Sequence, residues 1–106
     1  MSGLRYNTGK LKWSLVDYPS LEPLVKVLEF GTEKYSAENW KRGLQTREII
    51  ESLLRHTYAL LENEDNDPES GLPHVGHILA NAMFLSYMIN NKPEYDNRSS
   101  DSRTTA

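Results

Sequence analysis

At 106 residues, 38% of them hydrophobic and 25% charged, the chain is long enough for one small core and too short for two. A net charge of −3 excludes the basic face of a general nucleic-acid binder, and the lack of cysteine excludes disulfides and thiolate metal sites. No apolar run approaches the roughly 20 residues needed to span a bilayer, and no basic-then-apolar secretory signal opens the chain, so a cytoplasmic protein is expected.

Residues 1–20 read as an irregular arm, punctuated by Gly3, Gly9, Asp17 and Pro19 and made basic by Arg5, Lys10 and Lys12. Ser20 can cap a helix that starts at Leu21 with Pro23 in its first turn; Leu21, Leu24, Val25 and Leu28 form its apolar stripe up to Gly31. Residues 34–43 read as an aromatic-rich loop or broken helix. Thr46 is a candidate N-cap for a second helix, with Ile50, Leu53, Leu54 and Leu61 as its core face, ending near Asn63. An acidic loop runs to Gly71. Pro73 then suits the first turn of a third helix that reaches about Asn90, with Val75, Ile78, Leu79, Ala82 and Met83 on its apolar side.

After Pro93 the composition becomes Asn, Ser, Asp, Arg and Thr, which buries too little to offset ordering entropy. The expectation is an all-α fold: a small bundle of three main helices over residues 1–91, with an irregular N-terminal arm and a flexible tail at 92–106. A bundle of this size is marginal alone, so a homo-oligomer, at least a dimer, is expected.

All three histidines, His56, His74 and His77, fall beside Glu62, Glu64, Asp65, Asp67 and Glu69. Imidazole with carboxylate is the material of a divalent-metal or proton-transfer site. His74, His77 and Asn81 share one stripe of the third helix, at an N-terminal end whose dipole favours neutral imidazole. Asp67, Glu69, His74 and His77 are candidate metal ligands; His56, Asp67, Glu69 and His77 are candidate acids or bases. On the second helix Glu48 and Glu51 form an E-x-x-E that could bring two carboxylates to one magnesium, while Glu51 and Arg55 also form an ordinary i, i+4 pair. The cations Arg5, Lys10, Lys34 and Arg55 suit a polyphosphate. Tyr35, Asn39 and Trp40 supply rings to stack on a base and an amide to read its edge, with Asn81 as a further contact.

Taken in order, Arg5-Tyr6-Asn7-x-Gly9-Lys10, Phe30-Gly31-x-x-Lys34-Tyr35, Asn39-Trp40, Ser52-Leu53-Leu54-Arg55-His56 and Asp67-x-Glu69-Ser70-Gly71-Leu72-x-His74-x-x-His77 resemble the N-terminal domain of phage dATP/dGTP diphosphohydrolases, over about residues 4–90. That family looks related to the MazG-like all-α pyrophosphohydrolases. The resemblance implies a phage origin and hydrolysis of a purine deoxynucleoside triphosphate between the α and β phosphates, with a divalent cation, magnesium or manganese. MazG-like enzymes carry E-x-x-D where this chain has His74-Val75-Gly76-His77. The alternative is therefore a sponge that sequesters a cyclic or ADP-ribose-type nucleotide signal without cleaving it.

Overall fold

Three α-helices form the frame of the computed structural model, which describes residues 3–4 and 8–99: α1 (Glu22–Gly31), α2 (Thr46–Leu61) and α3 (His74–Asn91). No strand occurs among the described residues, and none of their helices is long and apolar enough to cross a membrane. The fold is all-α. Arg5 lies outside the described residues.

Before α1 come two 3-10 turns, Trp13–Leu15 and Tyr18–Leu21. Ser20 does not cap α1: its hydroxyl donates to the Asp17 carboxylate, and the 3-10 turn leads directly into the helix. Pro23 sits in the first turn, where its missing N–H is not needed. Gly76 of α3 lets the two helices approach closely, because a Cβ there would lie 2.5 Å from the Pro23 carbonyl oxygen.

The second helix differs from the sequence expectation in its phase. Its buried residues are Thr46 and Ile49, and the stripe facing α3 continues through Leu53 and His56 to Leu60. Leu54 and Leu61, expected in the core, are 55% and 75% exposed. Polar side chains fill the inner stripe because partners are waiting: the Thr46 hydroxyl donates to Tyr95 O, and Asn81 donates to Ser52 Oγ. Packed against both α1 and α2, α3 is covered on two sides. Its buried residues are His74, Gly76, Ala80 and Met88, whereas Val75 and Ala82, expected inside, are exposed.

Nor does Thr46 cap α2. It is the first helical residue, and Gln45 at the N-cap position makes no capping bond; its side-chain oxygen instead accepts from the Asn97 amide. The backbone N–H of Arg47 donates to Asn97 Oδ1 at 2.9 Å, fifty residues along the chain. Residues 92–99, assigned to the tail by composition, thus fold back through a 3-10 turn, Pro93–Tyr95, and close the end of α2.

Candidate functional site

The segment between α2 and α3 is a tight, internally bonded loop. Asn63, at φ 67°, turns the chain out of α2, and Gly71, at φ 74°, takes the left-handed geometry that a side chain would resist. Asn66 and Pro73 form an isolated antiparallel bridge; Asp67 N–H donates to Leu72 O, and His74 N–H to Asp65 O, both at 2.8 Å. The Asp67 carboxylate accepts from the backbone N–H of Glu69 and Ser70 and from the Ser70 hydroxyl at 3.0 Å. Burial alone would raise the Asp67 pKa, but these three donors outweigh it and hold the carboxyl below its ordinary value.

This loop delivers its groups to the three imidazoles, which the helices bring together. His56 Nδ1 is 2.8 Å from His74 Nδ1, and the His56 and His77 rings stack at 4.5 Å, 5° from parallel. His74 Nε2 lies 2.8 Å from Glu64 Oε1; His77 Nε2 lies 2.8 Å from Ser70 Oγ and 3.5 Å from Asp67 Oδ2. Burial, then the neighbouring rings, pushes the His56 pKa below that of free imidazole. Burial does the same for His77 against the opposing pull of Asp67. Both shifts favour the neutral form of the two face-to-face imidazoles.

The cluster lines a cavity of about 540 Å³ with Phe30, Lys34, Ser52, Arg55, Asp67, Glu69 and Ser70. A second cavity, of about 440 Å³, shares Phe30 with it and is walled by Gly31, Tyr35, Asn39, Trp40, Leu44 and Phe84. There Trp40 leans on Phe84 at 4.8 Å and meets Tyr87 edge-on at 5.0 Å, so its ring is held in place. One chamber carries cations and carboxylates together; the adjoining one is aromatic.

Most expected groups meet at these chambers: His56, Asp67, Glu69, His74, His77, Lys34 and Arg55 in the first, Tyr35, Asn39 and Trp40 in the second. Lys10 is exposed and lines neither. Asn81 is engaged between the helices, donating to Ser52 Oγ and to the His77 carbonyl. Glu48 and Glu51 face a separate groove with Arg47, Arg55 and Asn97, away from the histidines. Among the described residues no three His, Asp or Glu side chains are disposed to hold a metal ion. His74 has a partner on each ring nitrogen, and Asp67 is held by its own loop, so the set Asp67, Glu69, His74 and His77 does not fit a protein-held cation as arranged here. Sequence reasoning counted Glu64 only as one acid of the loop and gave Ser70 no role of its own. The Asp67-x-x-Ser70 spacing, which suits an Asx turn, was the available signal for Ser70.

The helical domain thus opens a chamber lined by imidazoles, two cations and the carboxylates of Glu64, Asp67 and Glu69 beside an aromatic one. The chain belongs to the dATP/dGTP diphosphohydrolase, N-terminal family, whose model matches residues 1–98. It is similar to a dATP/dGTP diphosphohydrolase of Salmonella phage PMBT28, 35% identical over 98 residues that make up 92% of this chain and 33% of the relative. The chain therefore spans about a third of that relative's length. No solved structure matches it.

Proposed function

We propose that this phage-type protein, acting in the host cytoplasm, binds a purine deoxynucleoside triphosphate across the two chambers and hydrolyses it to the monophosphate and pyrophosphate. The observation that carries the reading is the junction at Phe30. An aromatic cavity with Tyr35, Trp40 and the Asn39 amide suits a base, and it adjoins a polar cavity where Lys34 and Arg55 can offset phosphate charge. His56 and His77 lie at the phosphate end as neutral imidazoles able to take a proton from water. The magnesium or manganese that the family resemblance implies enters, in this reading, on the triphosphate. The name of the phage relative supports the substrate class.

Self-association is part of the proposal. Leu54, Tyr58 and Leu61 lie along the outer side of α2, and Trp13 and Leu15 in the arm are 68% and 81% exposed. Apolar surface on this scale in so small a domain is suited to cover by another copy.

The run His74-Val75-Gly76-His77, standing where MazG-like enzymes carry E-x-x-D, favours a second reading, a sponge that binds a nucleotide signal and releases it intact. Incubation with dATP and dGTP plus magnesium or manganese, followed by anion-exchange chromatography, separates the two. Stoichiometric monophosphate and pyrophosphate support the hydrolase; tight binding with ligand recovered unchanged overturns it in favour of the sponge.

A further inference from the structure

His74 is only 4% exposed and is bonded at both ring nitrogens. Ionised Glu64 can only accept, so the proton between them, across 2.8 Å, belongs to His74 Nε2. In a neutral ring, His74 Nδ1 is then bare and must itself accept. The proton in the 2.8 Å contact between the two Nδ1 atoms therefore belongs to His56. This leaves His56 Nε2 as a bare nitrogen on a ring that lines the same cavity as Lys34 and Arg55.

The neighbouring imidazole is fixed by the same logic through a different group. The single hydroxyl proton of Ser70 goes to Asp67 Oδ2, 3.0 Å away, so Ser70 Oγ accepts from His77 Nε2–H at 2.8 Å. The Leu72 N–H also donates to Ser70 Oγ, consistent with that oxygen acting as acceptor. Two stacked rings thus have their tautomers set by two separate carboxylates.

We propose that Glu64 and His74 form a relay that locks His56 as its Nδ1–H tautomer and so makes His56 Nε2 the proton acceptor for the attacking water. The proposal rests on the hydrolase reading above. As the water O–H bond breaks, its proton goes to His56 Nε2 and its oxygen bonds to the α-phosphorus. The bond from that phosphorus to the bridging oxygen breaks, and its electron pair leaves with pyrophosphate. The imidazolium shares its Nδ1 proton with His74, which in turn leans on Glu64, a side chain 52% exposed. Positive charge is drawn along the relay toward a solvated carboxylate and away from the stacked His77 ring. The proton on Nε2 returns to solvent as products leave. Glu64 and His74 are positioning residues, since both act through His56.

Long-range proton–nitrogen NMR on the full, nitrogen-labelled chain without nucleotide reads the tautomers directly. The expected spectrum shows His56 bare at Nε2 and His74 bare at Nδ1. Glu64→Ala should scramble both tautomers and lower kcat at least tenfold at unchanged KM, with helical circular dichroism preserved. Glu64→Gln, which keeps an oxygen to accept from His74, should restore the tautomers and most of kcat. His56 bare at Nδ1 in the wild type, or tautomers and kcat both indifferent to Glu64→Ala, overturns the relay. Failure of the hydrolase reading looks different: wild-type protein with the expected tautomers and no turnover.

Discussion

The two chambers that meet at Phe30 are built by opposite means. The histidine chamber is held by directional bonds between α2, α3 and the acidic loop, with Glu64, Asp67 and the three imidazoles each assigned to a partner. The aromatic chamber is held by ring packing of Trp40 on Phe84 and Tyr87, and its mouth is left to an exposed Tyr35. Bonded groups set protonation state and geometry, which chemistry needs. Packed rings give a surface tolerant of position, which suits recognition of a flat base. Damage to the first chamber should therefore appear in kcat, and damage to the second in affinity.

The largest expected effect separates the chambers most sharply. His56→Gln should lower kcat about 10²–10⁴-fold, the range for loss of a proton-transfer group, with nucleotide affinity nearly kept; steady-state kinetics checks it. Next, Arg55→Ala or Lys34→Ala should weaken triphosphate binding roughly ten- to a hundredfold, as for a charge-assisted contact of about 1.5–3 kcal/mol. Calorimetry should show little change for the bare nucleoside. Equal losses for both ligands would mean a folding defect instead. At the rim of the aromatic chamber, Tyr35→Ala should raise KM about tenfold with kcat unchanged, from the loss of about 1–2 kcal/mol of stacking.

Smaller effects concern stability. His56 and His77 have pKa values depressed in the folded chain, so the unfolded chain binds protons more tightly. Their contribution is whole above the unfolded value of about 6.5 and is lost as pH falls from there through the folded values. Tm should drop between pH 7.5 and 5.5, and His56→Gln should flatten that drop. A pH-independent Tm would show that the rings titrate as in water. The smallest change is Asn97→Ala, which removes the long-range cap of α2 and should cost about 1 kcal/mol, or about 4–8 °C in Tm, without touching nucleotide binding.

Much of this was legible in the sequence, and the remainder was hidden for identifiable reasons. Apolar period and punctuation place all three helices, and Tyr35, Asn39 and Trp40 fall in one chamber as their grouping suggested. The gathering of His56, His74 and His77 also follows from their positions on two helices joined by a short loop. The phase of α2 was not legible. Leucines at 54 and 61 score as core by hydropathy, yet the inner stripe holds Thr46 and His56, whose partners come from distant segments. The same holds for the cap: Thr46 looks like one locally, but Asn97 does the work from a polar stretch that composition assigns to a tail. Glu64 reads as one more acid in an acidic loop until His74 is seen within 2.8 Å of it.

The most direct test of the two-chamber account is a crystal structure of the chain with a non-hydrolysable dATP analogue. The account predicts the adenine between Tyr35 and Trp40, with the phosphates on Lys34 and Arg55 and the α-phosphorus facing His56. A base or triphosphate seated instead in the outer groove of Glu48 and Glu51, with the histidine cavity empty, would contradict it.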